Sequence, residues 1–156
     1  MDITNEDTLV KVMGDICNDV IEKVSVKILN KLKETIKRDT YESHSPNVVY
    51  EPSMEFMNAW EWKPVQKAVK SLSTELFYHW QTMKTDPKTY KHIDYVSMQD
   101  NREKLADILN INGLEPGNPI AVFRYSFWNN FIADMTFGGE IMTMFDKEFA
   151  SYGIKR

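Results

Sequence analysis

Apolar residues recur at Leu9, Met13, Ile16, Val20, Val24, Ile28, Leu32 and Ile36, and Cys17, Ile21 and Leu29 widen the stripe. Steps of three and four, uninterrupted by proline, are the spacing of one helix face. They predict a long amphipathic N-terminal helix that fills residues 1–38 at its widest. Thr4 and Asp7 offer a capping pair at its start. Acids dominate the early turns (Glu6, Asp7, Asp15, Asp19, Glu22), while Lys31, Lys33, Lys37 and Arg38 crowd the end, a polarity that complements the helix dipole. Helical from 5 to 38, such a rod measures about 50 Å and overhangs a domain of this size.

After residue 39 the period changes. Pro46, Pro52 and several serines mark 39–52 as a loop around a short extended piece at Val48–Tyr50. Trp60 and Trp62 alternate with Glu61 and Lys63, and Leu72, Thr74, Leu76 and Tyr78 share one face of a period-two pattern. The reading is two antiparallel strands, near 58–63 and 70–79, joined by an imperfect hairpin. Met54, Met57 and Glu61 also fit helical steps, so 53–62 keeps a helical alternative. Asp86-Pro87 marks a turn, Tyr90 to Met98 suits a short strand, and Asp100 with Glu103 caps a helix through Leu105, Ile108 and Leu109. Gly113, Pro116, Gly117 and Pro119 then punctuate a loop. A helix from Ser126 carries Phe127, Trp128, Phe131 and Met135 and breaks at Gly138-Gly139. The last helix starts near Glu140 and stops at Gly153, a natural C′ residue. The expected fold is α+β in a single domain over 1–156: a long N-terminal helix and C-terminal helices packed on a small antiparallel β-sheet.

Composition narrows the classes. A chain of 156 residues is one domain by default, and folding it hides roughly 18,000 Å² of surface. With 42% apolar and 27% charged residues the composition is globular rather than disordered. Cys17 is the only cysteine, which excludes an intramolecular disulfide and a cysteine-based zinc site. The acidic N-terminus lacks the apolar stretch of a secretory signal. The longest apolar runs, such as Ile120 to Phe123, fall far short of the ~18 residues a membrane span needs. A net charge of −4 argues against a dedicated nucleic-acid binder.

Chemistry-bearing patterns are sparse. His44, His79 and His92 lie far apart, with no paired-histidine or carboxylate-rich spacing around them. Cys17 sits on the apolar stripe, where a small buried hydrophobe is the simpler reading. No nucleophile elbow, Walker loop or dinucleotide fingerprint is present. Asp134 and Glu140 flank the Gly-Gly break, where capping and solvation account for them. No catalytic residue, metal ligand or cofactor site is therefore expected. Lys23, Lys27 and Lys31 form a ladder on one helix face, and from Lys23 to Arg38 six bases meet one acid, Glu34. The ladder reads either as a solvated face or as a surface toward phosphate. Aromatics make up 12% of the chain, more than one small core requires, which suits a protein–protein interface.

The order of segments resembles the neck, tail-completion and minor structural proteins of tailed bacteriophages of Gram-positive hosts. The resemblance rests on the basic amphipathic first helix and the loop motifs Asp39-Thr40-Tyr41 to Ser45-Pro46 and Val49-Tyr50-Glu51-Pro52. It continues through Glu55-Phe56-Met57-Asn58-Ala59-Trp60-Glu61, the Leu105 to Asn110 helix, Arg124-Tyr125-Ser126-Phe127-Trp128, and the Phe149 to Ile154 close. Where relatives carry a Thr-Gly turn before the first strand, this chain has Pro52-Ser53-Met54-Glu55.

The resemblance implies a non-enzymatic virion protein, made in the host bacterial cytoplasm and built into the neck or tail. It implies a homo-oligomeric ring, sixfold or twelvefold, that joins head to tail, lets DNA pass, and touches connector, neck or tail-tube proteins. Such rings join one face of a protomer to a different face of the next. Glu115, Pro116, Gly117, Asn118, Arg124 and Tyr125 are the candidate interface, with Phe127, Trp128 and Phe131 anchoring that segment in the core. Lys23, Lys27 and Lys31 are the candidate lining of a DNA channel, making transient, non-specific contact. Two other readings stand beside this one. One is a small mobile-element interaction or regulatory protein that uses the first helix as a coiled-coil arm. The other is an enzyme assembled from His79, His92 and distant acids.

Overall fold

The computed structural model describes residues 6–42, 54–68, 71–84, 103 and 127–154. The expected strand at Tyr90–Met98, the Leu105–Asn110 helix and the Gly/Pro loop lie outside the described residues. What is described is an α+β arrangement, mostly helical, with a small antiparallel β region.

The first helix, α1, runs Glu6–Ile36, 31 residues and about 46 Å. It gives way at Lys37–Tyr41 to a π turn instead of continuing as α-helix through Arg38. A π turn holds one extra residue per hydrogen-bonded ring, and here it accompanies the burial of Asp39, only 4% exposed. Val20, Val24, Leu32 and Ile36 are buried, as the stripe predicts, but Leu9, Val10 and Met13 are exposed. The apolar stripe is thus longer than the core that receives it. Ser25 and Thr35, both buried, are satisfied locally by donating to the carbonyls of Ile21 and Lys31, at 2.7 and 2.9 Å.

The ambiguous 53–62 stretch divides. Glu55–Asn58 forms a single helical turn, α2, and strand β1 follows at Trp60–Trp62. The other strands are β2 (Gln66–Ala68), β3 (Ser71–Ser73) and β4 (Leu76–Tyr78). β1 pairs antiparallel with β4, Glu61 opposite Phe77, and β2 with β3, Lys67 opposite Leu72. The two pairs are one hairpin broken at its middle. Three residues, Lys63 to Val65, stand opposite two, Thr74 and Glu75, which is the count of a β-bulge. Pro64, with no N–H to give the ladder, occupies the longer side. The break is bridged by the Lys63 N–H to the Glu75 carbonyl at 2.8 Å and by the Thr74 hydroxyl, which donates to the Lys63 carbonyl. Leu72, Thr74 and Leu76 are half-buried while Ser71, Ser73 and Glu75 are exposed, the period-two alternation expected of a one-sided strand.

The C-terminal part contains α3, Phe127–Ile132, a second π turn at Ala133–Phe137, and α4, Glu140–Ser151. Between them the Gly-Gly break is sterically enforced: a Cβ on Gly138 would lie 2.5 Å from the Asp134 carbonyl oxygen. α4 ends in the Schellman pattern predicted for Gly153, whose φ is +78°. The Ile154 N–H reaches the Phe149 carbonyl at 3.1 Å and the Gly153 N–H reaches Ala150 at 3.0 Å.

The core joins Leu32 and Ile36 of α1 to Phe56, Ala59, Trp60, Met83, Phe127, Phe131 and Met135. Its centre is aromatic. The Trp60 ring lies between Tyr78 (5.3 Å, 29°) and Trp128 (5.7 Å, 20°), and Phe56 meets Phe127 edge-on at 5.6 Å. Pairs of this geometry add about 0.5–1.5 kcal/mol beyond area burial. Phe127 is 1% exposed, whereas Trp128 is half-buried on the rim. The deeper anchor of this segment is therefore Phe127.

Candidate functional site

The lysine ladder meets α4. Lys31 Nζ lies 3.0 Å from Glu140 Oε1, and Lys27 pairs with Glu148. Lys23 pairs with Asp19 at 2.7 Å and donates to the Tyr152 hydroxyl at 3.2 Å. That hydroxyl donates to Asp19, and the Lys23 ammonium sits 5.3 Å from the centre of the Tyr152 ring. Partners rise in number along α4 as they fall along α1, so the two helices run antiparallel. The hydrogen bonds of Lys23 and then Tyr152 hold the Asp19 carboxyl below its ordinary range, and the same contact with Asp19 raises the Lys23 ammonium.

Lys23, Lys27 and Lys31, expected either as a solvated face or as the lining of a DNA channel, are all paired within the protomer. Each ammonium is matched by a carboxylate of its own protomer; Lys27 and Lys31 tie the final helix to the first, and Lys23 reaches Tyr152 just beyond that helix. Two of the complementary acids, Glu148 and Glu140, lie more than a hundred residues away, while Asp19 stands one turn before Lys23 on α1 itself.

A second polar cluster sits where α1 ends. Arg38 donates through Nε and Nη2 to the two Asp39 carboxylate oxygens, at 2.5 and 2.9 Å, and Asn130 Nδ2 of α3 donates to Asp39 Oδ2 at 2.9 Å. Burial alone would raise the Asp39 carboxyl, yet the Arg38 and Asn130 hydrogen bonds hold it below its ordinary value of 3.8. The cluster locks α1 to α3. An ion pair satisfied on all sides suits a joint better than acid–base chemistry, which needs a group poised to exchange its proton.

His79 is half-buried, its Nδ1 3.5 Å from Glu61 Oε2 across the β1–β4 pair and without a hydrogen bond. His44 and His92 lie outside the described residues. Among the described residues no three histidine, cysteine or acidic side chains gather as a metal site, and no helix is long and apolar enough to cross a membrane. Cys17 is half-buried and free. The expected interface residues Glu115, Pro116, Gly117, Asn118, Arg124 and Tyr125 also lie outside the described residues.

The start of α1, on the rod expected to overhang the domain, is a further exposed surface. Tyr152, just past the end of α4, stands opposite Asp19 and Lys23, so residues 6–18 continue about 20 Å beyond that helix pair. There Val10 is 65% exposed, Leu9 44% and Met13 38%. The signal was the overlong rod itself: its stripe kept helical spacing where the domain had no core left to meet it.

Comparison with known proteins returns no matching family model, no matching curated protein and no matching solved structure. Among the described residues the chain is an α+β arrangement in which the start of α1 exposes apolar side chains.

Proposed function

We propose that this chain is a non-enzymatic structural protein of a tailed-bacteriophage virion. It works in the neck or tail-completion region as part of a ring that joins head to tail and lets DNA pass. The observation that carries the association part is the free end of α1, where Leu9, Val10 and Met13 face solvent on a helix otherwise committed to its core. Isolated exposed apolar residues are ordinary, but three within five positions of one rigid helix form a contiguous surface suited to another protein. The virion setting rests on the resemblance of the segment order set out above. Lys23, Lys27 and Lys31 are each paired with an acid of the same protomer, so a DNA contact from that ladder is weakened by the neighbouring carboxylates and protein contacts form the main working surface.

The same overhang favours a second reading, a small mobile-element interaction or regulatory protein that uses α1 as an arm. Mass spectrometry of purified virions tests the first reading: stoichiometric incorporation is the expected result, and absence from intact particles overturns it. Light scattering separates the assemblies, since a ring gives six or twelve protomers and an arm gives a dimer.

A further inference from the structure

None of the twelve residues of α4 is buried. Its inward side, Ile141, Met144, Phe145, Glu148 and Phe149, is only half-buried. On α1, Val20 and Val24 are sealed, and they share the face of Lys27 and Lys31 by helical spacing, which is the face α4 meets. The polar ties across that seam stand in water. Lys27 keeps 45% of its side chain exposed in its pair with Glu148, and Glu140 keeps 38% in its pair with Lys31. The contacts of Tyr152 with Lys23 and Asp19 are exposed as well. Ties of this kind hold little and are weakened further by salt. At its other end α4 starts from Gly138-Gly139 with no side-chain cap, and Gly139 sits at φ +67°. Two adjacent glycines can absorb a large backbone rotation.

We propose that α4 is a releasable cover on α1, opening as a unit about Gly138-Gly139 while the aromatic core stays folded. The core can stay behind because its buried members, Leu32, Ile36, Phe56, Trp60, Phe127 and Phe131 among them, all lie outside α4. Only Ile141 and Met144 of α4 lean on that cluster, from its rim. Opening joins Val20 and Val24 to the exposed Leu9 and Met13, since all four share one helix face by spacing. α4 thereby sets how much of α1 another protein can reach, and salt favours the open form by screening the ties. The opening itself is independent of the virion reading, while its consequence rests on α1 being an assembly surface.

The test is native-state hydrogen exchange of the full chain in a urea series, read by mass spectrometry. Amides of Glu140–Ser151 should exchange through an opening roughly tenfold more populated than the one that exposes residues 32–36, with a shallower urea dependence. Raising sodium chloride from about 0.05 M to about 0.5 M should speed α4 exchange several-fold and leave residues 32–36 unchanged. Lys27→Glu, which sets like charges against each other at Glu148, should have the same effect at low salt. A Val24→Cys thiol on a Cys17→Ser background should react with a soluble disulfide reagent in step with α4 exchange. If α4 amides exchange only together with the core, at the same urea slope, the cover does not open and the proposal fails. It fails equally if α4 opens but the Val24→Cys thiol stays unreactive until the whole chain unfolds. Light scattering at both salt concentrations reads the consequence separately: release without any change in association supports the cover and refutes the assembly role of the α1 stripe.

Discussion

Truncating Phe127 and Trp128 separately tests how the aromatic centre is built, because the two neighbours differ in depth. Phe127 is 1% exposed and packs edge-on against Phe56 at 5.6 Å and Trp60 at 6.2 Å. Phe127→Ala removes a fully buried ring and two aromatic pairs and leaves a cavity, at a cost of about 3–5 kcal/mol. Trp128 stacks on Trp60 and leans on Phe131 at 5.6 Å, but it is only partly buried. From sequence it looked as deep as Phe127. The structure reduces the expected cost of Trp128→Ala to about 1–3 kcal/mol, since only the buried part of the ring and its stacking are lost. Urea unfolding followed by far-UV circular dichroism measures both. With a urea slope of about 2 kcal/mol per molar, Phe127→Ala should lower the midpoint by about 2 M and Trp128→Ala by about 1 M. If Trp128→Ala costs as much as Phe127→Ala, or more, the assignment of the deep anchor is wrong.

Asp39→Ala leaves the buried end of Asn130 without its acceptor and should cost about 1–3 kcal/mol. The native carboxyl is held below its ordinary 3.8, so its contribution is fully present above that pH and disappears as pH falls through the lower native value. Urea titrations of wild type and variant should therefore converge only in acid; convergence near neutrality would contradict the assignment. Gly138→Ala forces a Cβ to 2.5 Å from the Asp134 carbonyl oxygen and should destabilise by about 1–3 kcal/mol; a neutral thermal melt would show that the α3–α4 joint is looser than described. Across the α1–α4 seam, a double-mutant cycle on Lys27→Gln and Glu148→Gln should return a coupling below about 1 kcal/mol that shrinks with added salt; a larger, salt-insensitive coupling would mean a pair shielded from solvent.

Much of the architecture was legible because period and punctuation survive in a single sequence. The α1 stripe, the one-sided strand at Leu72 to Leu76 and the Schellman stop at Gly153 all depend on local geometry, which neighbouring residues fix. The π turns at Lys37–Tyr41 and Ala133–Phe137 were not legible, since one extra residue per turn leaves no compositional mark. The hairpin bulge was hinted at by Pro64 but not located. The pairing of the lysine ladder was not legible for a different reason. Its spacing along α1 was correct and Asp19 stands one turn from Lys23, but the acids that pair Lys27 and Lys31 arrive from α4, and charge partners at that separation have no pattern in the sequence. An overhang of α1 was expected from its length, but that it exposes Leu9, Val10 and Met13 was not, because an apolar stripe does not say where its cover ends.

The pairing of the first helix with the last also sets an order of events during synthesis. The ties from α1 to α4 join residues separated by 109, 121, 129 and 133 positions. At about 5–20 residues per second, α1 leaves the ribosome on the order of ten seconds before the segment that covers it. Throughout that interval Val20 and Val24, sealed in the finished protein, are as bare as Val10. A chain cut short before Glu140 makes none of these ties, although Leu32 and Ile36 can still meet Phe56, Ala59, Trp60 and Phe127.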